Sequence, residues 1–126
     1  MAYVIALLMA ALSFLLNRAA LRYIGVTAVI TYGPVLEELA KTVLAFYLGA
    51  DILLTHVTFG VIEGVYDWAT ASNRRLAAAA LSILGHSLFG ALTTATLAFS
   101  GSVLAAVIVG SLVHLVWNVT VIRLTA

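Results

Sequence analysis

Three ionisable residues, Glu37, Glu38 and Lys41, lie within five positions of an otherwise apolar stretch. One charged side chain at the centre of a bilayer costs roughly 2.5 to 3.5 kcal/mol on insertion scales, so such a cluster needs partners or a function. The four-residue spacing of Glu37 and Lys41 favours an ion pair on one helix face. That pair would neutralise the charge of Glu37 and leave the Glu38 carboxylate unpaired and available for chemistry.

Further polar side chains stand on stripes of small residues, which favour close contact between helices. The stripes are Gly60, Glu63, Gly64 and Asp67; Ser82, His86 and Gly90; and Gly110, His114 and Asn118. Each stripe follows the three- and four-residue spacing of one helix face. We therefore expect the three faces to pack against one another rather than against lipid.

Two imidazoles and several carboxylates in one bundle interior are suitable ligands for a divalent metal such as zinc, with one position left for water. A further carboxylate can take the proton of that water, and an amide such as that of Asn118 can polarise a carbonyl oxygen. Together these groups are the parts of metal-assisted peptide hydrolysis.

The composition indicates a membrane protein. Of the 126 residues, 64% are hydrophobic and only 9% are charged, against about 25% charged in a soluble domain. Because the long apolar runs do not alternate as β-barrel strands do, we expect one all-α membrane domain over residues 1–126, a polytopic bundle of about five transmembrane helices. The net charge of +1 excludes a nucleic-acid surface, and the absence of cysteine excludes disulfides and thiolate chemistry.

The apolar runs also predict the helices that position the polar residues. We expect them at about residues 2–20, 34–48, 52–69, 76–99 and 103–122, with a short membrane segment over 24–32. Pro34 lacks an N–H and biases Gly33 away from helical angles, so a new or kinked helix is expected to start there. Glu37 and Glu38 would then lie in its first turns, where the helix dipole favours carboxylates.

The arginines predict the orientation in the bilayer. They follow the first, third and fifth helices, at Arg18, Arg22, Arg74, Arg75 and Arg123. Because basic residues are enriched on the cytoplasmic side, we expect an external N-terminus and a cytoplasmic C-terminus. The expected location is the plasma membrane of a prokaryote.

Counting from the arginines estimates the depth of each polar residue. At 1.5 Å per residue, Glu63, His86 and His114 lie roughly 14 to 17 Å from the cytoplasmic arginines, near the midplane. Glu37 and Glu38 lie about 22 to 24 Å from the basic end of the first helix if the path is helical. They are expected to reach the level of the histidines only if the proline breaks the helix.

Several remaining residues are expected outside the site. His56 lies on the same helix face as Glu63, about 10 Å nearer the outside, and is interpreted as interfacial. Asp67 is interpreted as a solvated or arginine-paired residue near a helix end. The aromatic residues that fit interfacial belts are Tyr47, Tyr66 and Trp68.

The order of the motifs resembles that of the PrsW family of intramembrane proteases and, more distantly, of the CAAX prenyl protease and bacteriocin-processing superfamily. The motifs are Glu37-Glu38-x-x-Lys41, Phe59-Gly60-x-x-Glu63, His86 followed by Gly90, and His114-x-x-x-Asn118. They span residues 33–120 and leave out the first helix.

The resemblance implies cleavage of a membrane-anchored peptide or protein substrate within or at the edge of the bilayer. Glu37 and Glu38 would supply the carboxylate that activates water, and Asn118 would assist His114 or stabilise the oxyanion. The catalytic or metal-binding positions would be Glu63, His86 and His114. The chain is short for this family, which leaves open a homodimer or an inactive minimal homologue.

Two other functions fit parts of the same pattern. A haem-binding electron-transfer bundle would use His86 and His114 as axial ligands, although it leaves the surrounding acids unexplained. A small proton or ion conductor would use His56, Glu63 and Glu38 as relay groups.

Overall fold

The computed structural model describes residues 1–23, 25–71 and 73–125, which are helical except for short connections. The helices of these described ranges are α1 Ala2–Tyr23, α2 Val26–Tyr47, α3 Ile52–Thr70, α4 Arg75–Ser100 and α5 Val103–Thr125. The prediction of an all-α chain with five helices is confirmed for this part of the chain. Ile24, where the short segment was expected to begin, and the side chains of Arg18 and Arg123 lie outside the described residues.

Local sequence explains several helix ends. Asp51 Oδ1 accepts a hydrogen bond from the Leu54 N–H at 2.7 Å and so caps α3. Gly49 and Gly101 both have a φ of +66°, a left-handed conformation that favours glycine, and they end α2 and α4. Since the connections that follow α2, α3 and α4 are only two to four residues long, successive helices run in opposite directions.

The second helix does not start at Pro34, contrary to the expectation from sequence. One continuous helix runs from Val26 to Tyr47 with the proline in its interior. A helix interior tolerates a proline at the loss of one backbone hydrogen bond when packing holds the surrounding turns, and Pro34 is buried here. Glu37 and Glu38 therefore lie in the middle of α2, and the stabilisation by a helix N-terminus expected for them does not apply.

Helices α3 and α4 pack closely because glycines meet side chains at their contact. A Cβ atom added at Gly60 would lie 2.8 Å from His86 Cβ, and one added at Gly90 would lie 2.6 Å from His56 Cβ. At Gly110 of α5, an added Cβ would collide with Thr93 Oγ1 of α4. The stripes of small residues thus bring the histidine-bearing helices into contact, as their spacing predicts.

The first helix packs outside the polar centre of the bundle. Its buried residues Ile5, Ala6 and Met9 form an apolar cluster with Phe59 of α3. Helix α1 contacts α2 and α3, whereas α5 contacts α4 and α2. The polar centre therefore lies between α2, α3, α4 and α5.

The described residues bury polar side chains and expose apolar ones. The buried polar and charged residues are Glu37, Glu38, Lys41, Thr42, Thr55, His56, His86, Thr93, Ser111 and His114. Large apolar side chains cover the outside, and Leu84 and Leu104, for example, are 60% and 69% exposed. Among the described helices, α4 and α5 are long and apolar enough to cross a membrane, and only 28% of each apolar window is buried within the chain.

Candidate functional site

A buried ion pair between Lys41 and Glu38 forms the centre of the site. Lys41 Nζ lies 2.8 Å from Glu38 Oε1, and neither side chain is exposed. The same ammonium lies 3.1 Å from His86 Nδ1 and 4.2 Å from the centre of the Phe59 ring. These two contacts hold it on the side of α2 that Glu38 faces, so the expected ion pair with Glu37 does not form. The less constrained glutamate is therefore Glu37.

The imidazole of His114 is oriented by Glu38. Its Nδ1 lies 3.1 Å from Glu38 Oε1, the oxygen that also accepts from Lys41. Because an ionised carboxylate can only accept, Nδ1 carries the hydrogen, and in a neutral ring Nε2 then has a free lone pair. The ring of Phe89 stacks on the imidazole at 4.4 Å between centroids and fixes its plane. The contact also places Glu38 at the same level along the bundle as His114 without a break in α2.

The imidazole of His86 is held at both nitrogens. Nδ1 faces the Lys41 ammonium at 3.1 Å, and Nε2 lies 2.7 Å from Glu63 Oε2. An ammonium can only donate, so Nδ1 accepts and the hydrogen of the neutral ring lies on Nε2, which donates it to the Glu63 carboxylate. The hydrogen bonds thus link Glu38, Lys41, His86 and Glu63 across three helices.

His56 belongs to this buried cluster, which corrects its interpretation as an interfacial residue. It is fully buried, with Nδ1 3.5 Å from Glu38 Oε2 and Nε2 3.4 Å from Thr42 Oγ1. Neither His56 Nδ1 nor Glu38 Oε2 has a hydrogen-bond partner among the described residues. Its seven-residue spacing from Glu63 on a face with Gly60 was the feature that could have indicated burial, because a glycine on that face admits a neighbouring helix.

Glu37 has a different environment from the glutamate that follows it. Its side chain is 8% exposed and accepts no hydrogen bond within the described part of the chain. A carboxylate oxygen of Glu37 and one nitrogen each of His86 and His114 lie within 4.8 Å of one another. Glu37 is therefore a carboxylate with free acceptor capacity beside two imidazoles.

Two overlapping groups of buried side chains could hold a metal ion. One is Glu37, His86 and His114, and the other is Glu38, His56 and His86, each with ligand atoms within 4.8 Å of one another. Carboxylate oxygen and imidazole nitrogen suit zinc, whose bonds to them are about 2.0 to 2.2 Å long, so the side chains must move slightly together to close on an ion. Glu63 is in neither group but bonds to His86, the residue that both groups share.

A cavity of about 850 Å³ reaches the site from the end of the bundle that carries Arg74. Its lining residues are Glu63, Asp67, Asn73, Arg74, Ala77, Ala78, Leu81, Ser82, Gly85, His86, Phe89, His114, Trp117, Asn118 and Val121. Glu37 and Glu38 do not line it, but His86 and His114 do, and a Glu37 oxygen lies within 4.8 Å of their nitrogens. The cavity size is typical of sites that bind small molecules or peptide side chains.

Two other predicted residues line this cavity without joining the buried cluster. Asn118 lies one turn from His114 on α5, and no hydrogen bond joins its amide to another side chain among the described residues. Asp67 is half-buried and accepts a hydrogen bond from Ser82 Oγ at 2.5 Å, and no arginine pairs with it among the described residues. The structure therefore brings five of the six predicted site residues together and places Asn118 next to them.

The geometry of the two central histidines bears on the haem alternative. The rings of His86 and His114 are in edge-to-face contact, with centroids 5.1 Å apart and planes at 82°. Axial ligands of one haem lie on opposite faces of the macrocycle, which requires a gap between them. No such gap exists between these rings.

In comparisons with protein-family models, with curated proteins and with solved structures, nothing matches this chain.

Proposed function

We propose that this chain is a five-span membrane-embedded peptidase that hydrolyses a peptide bond of a membrane-anchored substrate. The observation that carries the proposal is the meeting of Glu37, His86 and His114 at the inner end of a large cavity. The order of the motifs, which resembles that of the PrsW family, supports the same reaction. The substrate class is a peptide segment that can enter the cavity from the bilayer or its edge.

The inverted distribution of side chains supports a membrane location. A fully buried Glu38–Lys41 pair with exposed leucines such as Leu84 and Leu104 is the reverse of a soluble protein. Contact of the apolar surface with lipid costs no free energy, whereas its contact with water is unfavourable. In the proposed orientation, Asn73 and Arg74 place the cavity mouth at the cytoplasmic side.

In the proposed reaction Glu37 is the general base. Its carboxylate accepts a proton from water, the resulting hydroxide attacks the peptide carbonyl carbon, and the proton passes to the amine nitrogen as the C–N bond breaks. His114, held by Glu38, presents its Nε2 lone pair as a second acceptor, and the Asn118 amide can donate to the carbonyl oxygen. Lys41 and Glu38 act as positioning residues.

A divalent ion, with zinc as the proposed species, would be held by Glu37, His86 and His114, and Glu37 would then bind the ion instead of serving as the general base. The donor set fits by ligand type and separation, and Glu37 and His114 Nε2 have free lone pairs. When bound, the ion supplies Lewis-acid activation of water and of the carbonyl oxygen. His86 must release either Glu63 or Lys41 to take part, because both of its nitrogens are hydrogen-bonded.

The test compares membranes of cells that produce the native chain with membranes of cells that produce Glu37→Gln. Mass spectrometry of peptide termini should find new termini in membrane proteins only with the native chain, because the amide cannot accept the proton from water. Asp51→Asn is the matched control, since it makes the same chemical change at a helix cap outside the site. Identical termini for the native chain and Glu37→Gln would overturn the proposal.

The hydrogen-bonded series of Glu38, Lys41, His86 and Glu63 favours proton transfer as a second candidate function. It connects the buried cluster to the cavity, because the Glu63 side chain is 40% exposed there. Proton flux into liposomes that Glu63→Gln abolishes, without any peptide cleavage by the native chain, would favour this alternative.

A further inference from the structure

Lys41 lies against two of the three residues that form the inner group of potential metal ligands. Its Nζ is 2.8 Å from Glu38 Oε1 and 3.1 Å from His86 Nδ1, and the third member, His56, lies 3.5 Å from the other oxygen of Glu38. All of these side chains are buried, and none except His86 lines the cavity. An ammonium group therefore lies within hydrogen-bonding distance of two of the three residues that would hold a metal in this group.

Two ligand atoms of the inner group are free to bind a cation. Glu38 Oε2 and His56 Nδ1 have no hydrogen-bond partner among the described residues, although both atoms are buried. Buried polar atoms are normally satisfied, so this pair can take up an ion at little cost in lost hydrogen bonds. Lys41 uses the remaining acceptors, Glu38 Oε1 and His86 Nδ1, and its charge repels a second cation.

We propose that the Lys41 ammonium excludes a divalent metal from a second site formed by Glu38, His56 and His86, and so confines metal to the cavity-facing group. The inner group shares His86 with the cavity-facing metal group, and Glu38 and Lys41 also position the proposed active site. The inference rests on the proposed function solely for the role of that cavity-facing group. Lys41 is in this sense a residue that determines which metal site can be occupied. The ligand class of the inner site is a divalent transition metal that accepts nitrogen and oxygen ligands, such as zinc or cobalt.

The test measures metal binding by the full chain in detergent, with Lys41→Met as the decisive variant. Methionine is unbranched and only one atom shorter than lysine, and it removes the ammonium group that contacts the Phe59 ring. Because no ammonium then repels the ion or uses Glu38 Oε1 and His86 Nδ1, we expect Lys41→Met to bind zinc at least about tenfold more tightly than the native chain. Equilibrium dialysis with elemental analysis gives the affinity, and the absorption of bound cobalt reports the ligands.

His56 distinguishes the inner site from the cavity-facing one. His56→Asn should leave the metal affinity of the native chain unchanged, and should remove the gain when combined with Lys41→Met, because asparagine is a poor ligand for zinc. Lys41→Arg is the matched control, since it retains a cation and should show no gain. A Lys41→Met affinity equal to that of the native chain, or a gain that survives His56→Asn, would overturn the proposal.

Loss of Lys41 also leaves the Glu38 carboxylate without its cation, so Lys41→Met is expected to be less stable without metal. Zinc should then raise its melting temperature more than that of the native chain. A variant that zinc does not stabilise counts against the proposal, and Lys41→Gln, which is neutral but still polar, repeats the measurement independently. Peptide cleavage by the native chain is scored separately, so the two proposals can fail independently.

Discussion

Adjacent glutamates can have opposite roles when their partners differ. Glu38 is bound by Lys41 and His114 and lies 3.5 Å from His56, whereas Glu37 accepts no hydrogen bond in the described part of the chain. The first arrangement joins three helices, α2, α3 and α5, and the second leaves a reactive oxygen. We therefore expect stability and activity to separate between these two positions.

Glu38→Gln should lower the free energy of unfolding by about 3 to 5 kcal/mol, because it leaves the Lys41 ammonium buried without a counter-charge. Glu37→Gln should cost less than about 1 kcal/mol, since no hydrogen bond is lost. Titration of helical content with a denaturing detergent in mixed micelles measures both. Equal losses would show that the ion pair does not carry this stability.

The hydrogen bonds also predict the ring tautomers of two histidines. His86 should carry its hydrogen on Nε2, because Nδ1 accepts from Lys41, and His114 should carry its hydrogen on Nδ1, because Glu38 accepts it. Nitrogen chemical shifts of labelled imidazoles distinguish the two forms. The same tautomer at both positions would contradict the assigned network.

The side chains that form the site could be predicted from the sequence, but the partner that each of them contacts could not. The positions of Glu63, His86 and His114 follow from helix spacing and from the arginines. Lys41 can reach an acid three or four residues before it, and only the surrounding His86 and Phe59 select Glu38. The prediction for His56 was wrong for the same reason, because the burial of His56 depends on which helix packs against that face of α3.

At the scale of the elements, glycine contacts decide how the histidine-bearing helices meet. The glycine spacing predicted close contact, but the identity of the facing side chain depends on the relative rotation of the helices, which spacing leaves undetermined. Pro34 shows a related limit: an isolated proline disfavours a helix, yet packing holds α2 continuous from Val26 to Tyr47.

Gly90→Ala tests the contact between α3 and α4. Its added methyl group would lie 2.6 Å from His56 Cβ, so we expect a loss of about 1 to 3 kcal/mol in the free energy of unfolding. The imidazole signals of His56 should shift as the ring moves away from Glu38. Gly101→Ala, the comparison variant, meets open space and is strained only by its positive φ, by about 1 to 2 kcal/mol. It should leave those signals in place, and a shift in both variants would show that the effect is not local.

At the scale of the whole molecule, the polar interior and apolar exterior imply that the proposed bilayer stabilises the fold by covering the apolar surface. The five helices and their short connections require that, if every helix crosses, alternate connections lie on the same side. Asn73 would then lie opposite both Leu48 and Ser100, and the proposed orientation, which puts the arginines at the cytoplasmic side, predicts that Asn73 faces the cytoplasm. The orientation is therefore a prediction about three exposed residues.

The chain contains no cysteine, so single cysteines report this topology without a background. In intact cells, a membrane-impermeant maleimide should label Leu48→Cys and Ser100→Cys, and should label Asn73→Cys only after the membrane is opened. Labelling of Asn73→Cys and Ser100→Cys from one side would mean that α4 does not cross, which the membrane proposal does not survive. Labelling with the two sides exchanged would keep the five-span bundle and reverse its orientation. The cavity mouth near Arg74 would then open outside the cell, and its substrates would have to be cleaved on that side.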